Sequence, residues 1–196
     1  MKKIITISRE FGSGGRTIGK LLAERLGYKF YDSEIVEKIA SECGYHKDFI
    51  GEHSECATSG HSVLFSLSRS GNSIHNSIYD EIFIAQRKVI LDIYNNENAV
   101  IVGRCADYIL KDCKDVFNVF IYTDKERRKE RIIQEYGENK DKSIEKRIKE
   151  KDKKREVYYK TYTGREFGDV HNYDVALDSK VGISKCVDIL YNLIKE

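Results

Sequence analysis

Residues 12–17, Gly-Ser-Gly-Gly-Arg-Thr, stand directly after the apolar run Ile4-Ile5-Thr6-Ile7 and directly before a helical pattern of Ile18, Leu21, Leu22 and Leu26. A β-like run, a glycine-rich turn and an amphipathic helix in immediate succession read as one strand–turn–helix unit. Gly12, Ser13, Gly14 and Gly15 leave the backbone free to turn its N–H groups toward one point. The helix that follows adds about half a positive charge at its N-terminus.

The rest of the chain repeats the rhythm. Runs rich in β-branched or aromatic residues occur at 3–8, 28–31, 99–102, 116–122 and 173–177, with helical patterns between them. At the C-terminus Ile183, Val187, Leu190 and Ile194 fall on one helical face. Near-continuous apolar strands alternating with amphipathic helices predict an α/β fold, a parallel sheet covered on both faces. Ligands of such sheets bind at the carboxyl ends of the strands, which is where residues 12–17 lie.

Length and charge set limits. A chain of 196 residues suits a single domain spanning 1–196. A net charge of +2 argues against a general nucleic-acid binder. No run approaches the roughly 20 apolar residues of a membrane span, and 4–7 is too short for a secretory leader. Cysteines at 43, 56, 105, 113 and 186 form no C-x-x-C pair, so reduced thiols and a cytoplasmic location are expected. Residues 44–77, rich in Gly, Ser, His and Asn, read as a mobile insertion or a long surface excursion. Residues 140–156 carry nine Lys/Arg and five Asp/Glu, with Ile144 and Ile148 alone as apolar anchors, and read as a helix projecting into solvent.

Four constellations carry chemistry. Laid over G-x-x-x-x-G-K-[ST], the chain supplies Gly15, Arg16 and Thr17 for the last three positions and Glu10 for the first glycine. In that register Gly12, Ser13, Gly14, Gly15, Arg16 and Thr17 cradle phosphates, Arg16 grips their oxygens as a bidentate fork, and Thr17 offers Mg²⁺ a hydroxyl. Asp32 and Ser33 follow the second β-run, where either a helix N-cap or a ligand contact explains them. Arg104 follows Ile101-Val102-Gly103 at the end of a buried strand, a place where Arg rarely sits without an anionic partner. Arg127, Arg128 and Arg131, then Lys151 to Arg155, read on charge alone as a solvated face; phosphoryl transfer could also use them as a closing lid.

With these elements in order, the chain resembles the nucleoside monophosphate kinases, most closely the cytidylate kinases and their cytidylate-kinase-like relatives. The likeness rests on Ile-Thr-Ile-Ser-Arg-Glu-Phe-Gly-Ser-Gly-Gly-Arg-Thr-Ile-Gly-Lys near the start, Phe30-Tyr31-Asp32-Ser33, Ile101-Val102-Gly103-Arg104, Asp152-Lys153-Lys154-Arg155 and Asn172-Tyr173-Asp174-Val175. The resemblance implies a P-loop NTPase fold with a five-stranded parallel sheet flanked by helices, an acceptor-binding insertion at 44–90 and a helical lid at 124–160. It implies ATP with Mg²⁺, the metal held by Thr17, and a small phosphorylated acceptor, CMP or dCMP first. Arg16, Asp152 and Arg155 would be catalytic; Asp32, Ser33, Lys38 and Arg104 would hold the acceptor; Arg127 and Arg131 would belong to the lid. Val102 and Cys105 stand where true cytidylate kinases carry Asp on either side of Gly-Arg, and Lys38 stands in place of an Arg. A kinase of another small acceptor and a nucleotide-binding regulatory module without turnover stay open alternatives.

Overall fold

A computed structural model of the chain describes residues 2–44, 46, 48, 78–137 and 143–195. Five strands, β1 (Ile4–Arg9), β2 (Lys29–Tyr31), β3 (Ala99–Val102), β4 (Val116–Tyr122) and β5 (Val175–Asp178), form one parallel sheet in the order β2-β3-β1-β4-β5. β1 lies at the centre, paired with β3 from Ile4↔Ala99 to Ile7↔Val102 and with β4 from Ile4↔Val116 to Arg9↔Ile121. Its carboxyl end therefore opens between two neighbours reached by crossovers on opposite sides, the crevice where such sheets take ligands.

Burial on both faces explains the unbroken apolar strands. Side chains alternate faces along a strand. Ile4 and Ile101 meet Ile35 and Ile39 of α2 (Ser33–Cys43) and Ile82 and Ile90 of α3 (Ile78–Asn96). On the opposite face Ile5, Ile7, Val100 and Val119 meet Ile18 and Leu22 of α1 (Gly15–Leu26) and Leu190 and Ile194 of α7 (Ile183–Lys195).

Three expectations change. Leu21 is 40% exposed, because α1 approaches the sheet over Gly15 and Gly19 instead. A Cβ on Gly19 would stand 3.0 Å from Ile7 Cδ1, so the helix lies too close for a side chain there and its buried stripe shifts to 15, 18, 19, 22 and 23. The last strand begins at Val175, after a 3-10 turn over Val170–Asn172, while the Asp174 carboxylate accepts the Asn118 N–H at 2.7 Å. The basic segment does not simply project. It enters α6 (Ile144–Thr163), whose Tyr158, Tyr159 and Tyr162 are buried against Phe83 and Cys105. The short α4 (Ala106–Ile109) and α5 (Lys125–Tyr136) complete the described helices. Of segment 44–77, all but Gly44, His46 and Asp48 lies outside the described residues. Among the described residues no helix is long and apolar enough to cross a membrane.

Candidate functional site

The loop after β1 is held from behind. Every carbonyl from residue 9 to residue 14 accepts a hydrogen bond. The Arg9 carbonyl takes Arg155 Nη1 at 3.1 Å, Glu10 takes the Ser13 N–H at 3.3 Å and Phe11 takes Arg128 Nε at 2.7 Å. Gly12 takes Arg131 Nη1 at 2.9 Å, Ser13 takes the Ser179 hydroxyl at 2.6 Å and Gly14 takes the Ile18 N–H at 2.9 Å. Gly12 and Gly14 adopt φ of 79° and 82°, the left-handed region that side chains resist. A Cβ on Gly12 would also stand 2.9 Å from the Arg128 carbonyl, so α5 packs directly on the loop. With its carbonyls occupied, the loop ends in the first turn of α1, whose N–H groups have no intrahelical acceptor.

Asp152 serves this scaffold. One carboxylate oxygen accepts the Phe11 N–H at 2.8 Å and the other accepts from Arg128, whose side chain is 6% exposed. Arg128 also lies 3.4 Å from Glu10 Oε2, which accepts the Thr123 N–H. Burial pushes the Glu10 carboxyl above its ordinary range, and the Arg128 charge offsets part of that rise.

Beside the loop, the ends of β1 and β3 open onto a cleft lined by Arg9, Arg104 and Arg155, with Tyr158, Tyr159 and Phe167 as its aromatic wall. Arg104 is presented by an unusual turn. Gly103, Arg104 and Cys105 follow one another at φ 77°, 61° and 53°. Two consecutive non-glycine residues in that region cost about 1–2 kcal/mol each. The buried Gln86 supports the turn: its Nε2 donates to the Arg104 carbonyl at 2.8 Å, and Tyr158 donates to its Oε1 at 3.2 Å. Burial drives the Tyr158 phenol well above its ordinary value, and Tyr159, pushed up by burial as well, donates to the buried Asp107 at 2.6 Å. Both phenols are therefore fixed donors at neutral pH.

Other residues singled out in the sequence lie apart from this cleft. Arg16 Nε meets Asp32 Oδ2 at 2.6 Å with its side chain 59% exposed, so Asp32 binds Arg16 and does not cap α2. Lys38 lines a separate groove between α2 and α3, with its ammonium 5.7 Å from the centre of the Tyr31 ring. Arg127 pairs with Asp124 at the start of α5, whereas Arg131 reaches the loop. The side chain of Ser33 lies outside the described residues. Val102 is fully buried against α1, and Cys105 is packed with the α6 tyrosines, so apolar neighbours surround both positions that differ from the cytidylate kinase pattern. Among the described residues no cluster of three or more His, Cys, Asp or Glu is placed to hold a metal. The exposed Thr17 hydroxyl, 3.5 Å from Glu135 Oε1, fits a Mg²⁺ that brings phosphate and water ligands with it.

Fold and loop together define a kinase-like phosphotransferase of the P-loop class. Residues 4–181 match the Cytidylate kinase-like family, and the chain belongs to it. A cytidylate kinase of Methanosarcina mazei is 26% identical over 178 residues, 90% of this chain and 87% of its own length. An uncharacterized protein from Eubacterium ventriosum is similar in structure, with a TM-score of 0.74 and 28% identity over 98% of both chains. A shikimate kinase from Bacteroides thetaiotaomicron, 13% identical, shares the fold at a TM-score of 0.58 over 100% of both chains.

Proposed function

We propose that the chain transfers the γ-phosphoryl group of ATP to a nucleoside monophosphate, CMP or dCMP first. One observation carries this reading: Arg9, Arg104 and Arg155 line a single cleft beside the loop. A dianionic acceptor suits an arginine-rich lining far better than a neutral alcohol does, since a guanidinium is matched to phosphate oxygens. Membership of the cytidylate kinase-like family supports a nucleotide as the acceptor's carrier.

In this reading the loop amides and the start of α1 hold the ATP phosphates, and Thr17 would hold the Mg²⁺ that accompanies them. That ion supplies charge neutralisation when bound. Arg104 and Arg155 orient the acceptor phosphate, and region 124–160 closes over the transferred group. An acceptor phosphate oxygen forms its bond to the γ-phosphorus as the bond to the β–γ bridging oxygen breaks, and ADP leaves with that electron pair. The acceptor oxygen is already anionic, so no general base is needed. Catalysis then comes from positioning and charge stabilisation.

A coupled ADP-release assay with Mg-ATP across the common nucleoside monophosphates tests the reading. Turnover highest with CMP or dCMP is expected. ATP binding without turnover of any monophosphate refutes it and favours a regulatory module.

A further inference from the structure

From Ile82 to Ile93 the buried stripe of α3 is apolar at every position except Gln86. Position 86 is fully buried, so packing alone would favour an aliphatic residue there. A buried amide costs free energy unless its polar atoms are hydrogen-bonded. Both ends of this one are engaged: Nε2 donates to the Arg104 carbonyl at 2.8 Å, and Oε1 accepts from the Tyr158 hydroxyl at 3.2 Å. The two partners belong to different elements. Arg104 stands in the turn between β3 and α4, where it and Cys105 hold φ of 61° and 53°. A non-glycine pair stays in that region only when its surroundings hold it there. Tyr158 lies on α6, about one helical turn beyond Arg155. Burial raises the Tyr158 phenol and the Arg104 charge works against that rise, which puts the guanidinium near the hydroxyl.

We propose that Gln86 is a positioning residue that ties the Arg104 turn to the helix carrying Arg155. Arg104 and Arg155 both line the cleft, one from the end of a strand and the other from a helix distant in sequence. A misplacement of about 1 Å between groups that orient one reactant can cost about a hundredfold in rate, so their relative placement has to be held. A single amide, carried on a helix whose neighbouring side chains pack in the core, holds the turn by its donor and the helix by its acceptor. Being fully buried, Gln86 acts through the two arginines and not on the acceptor itself. The role rests on the kinase reading above, in which Arg104 and Arg155 orient the acceptor phosphate.

Gln86→Leu removes both hydrogen bonds at nearly constant volume. With Mg-ATP and CMP it should lower kcat/KM for CMP by about tenfold or more and leave the KM for ATP within about twofold. Added to Arg104→Ala it should lower kcat/KM for CMP by less than about a further threefold, because the residue it positions is gone. Hydrogen exchange without any acceptor reads the link itself: Gln86→Leu should speed exchange at 103–106 and at 155–162 but not in α7. Tyr158→Phe cuts only the bond to α6. It should speed exchange at 155–162 and lower kcat/KM for CMP by about threefold, and it carries the comparison should Gln86→Leu fail to fold. Unchanged kcat/KM for CMP, a loss shared equally by ATP, a loss undiminished in Arg104→Ala, or exchange that is unchanged or raised across the whole chain overturns the assignment while leaving the kinase reading intact. A wild type that turns over no monophosphate ends the kinase reading, and the exchange comparison still decides the link.

Discussion

Asp152, expected from the resemblance to be catalytic, has its two oxygens engaged by the Phe11 N–H and by Arg128. Arg128 is nearly inaccessible, and its remaining contacts are the Phe11 carbonyl and Glu10 at 3.4 Å. Removing the carboxylate leaves a buried guanidinium short of its main counter-charge, a loss of about 3 kcal/mol. Asp152→Ala should therefore lower urea stability by that amount, and Asp152→Asn, which keeps an acceptor for the Phe11 N–H, by about half as much. Stability within about 0.5 kcal/mol of wild type, with turnover abolished, would mean that Asp152 acts on the ligand instead. Arg9 shows what a sequence can offer at this scale. It follows an apolar strand just as Arg104 does, and the argument that singled out Arg104 applies to it equally. The contacts that Arg128, Ser179 and Gln86 make to the Phe11, Ser13 and Arg104 carbonyls carry no such signal, because those carbonyls are distant in sequence.

At the scale of elements, β3 and β4 were legible to the residue: β3 is buried and apolar throughout, and β4 is β-branched and aromatic apart from Asn118. α6 was legible only in its first half. Charge dominates through Arg155, and the residues that anchor it, Tyr158, Tyr159 and Tyr162, read as polar-tipped aromatics until their partners are known. Those partners come from α3 and α4: Phe83 stacks on Tyr162 at 4.1 Å and 7°, and Asp107 takes the Tyr159 hydroxyl. This docking brings Arg155 to the cleft, so packing and site geometry are coupled. Tyr162→Ala should cost about 3 kcal/mol in urea unfolding, from lost burial and the lost stacked pair. It should also raise the acceptor KM, whereas Tyr162→Phe should preserve both stability and KM. A cost under about 1 kcal/mol for Tyr162→Ala would show that α6 is held elsewhere.

For the whole molecule, the balance of charge is nearly even at +2, so anion recognition has to be built locally. The sheet order does this by bringing the ends of β1 and β3 side by side, so that Arg9 and Arg104 line the same cleft. Strand periodicity in the sequence implied a parallel sheet but could not state which strands were neighbours. That adjacency depends on crossovers, and it is what makes two arginines 95 positions apart one site. If the cleft reads phosphate, ligand stabilisation should follow the phosphate and not the nucleoside. At about a hundredfold excess over Kd a ligand contributes about 2.7 kcal/mol, roughly 5–10 °C in melting temperature for a chain of this size. CMP should reach that shift and lose it progressively with added salt, as screening weakens charge-assisted contacts at the half-open cleft. Cytidine at the same concentration should give less than about 2 °C, since its base and ribose lack the group that Arg9, Arg104 and Arg155 are arranged to hold. Equal, salt-insensitive shifts from CMP and cytidine would remove the phosphate from the cleft and, with it, the reason for three arginines there.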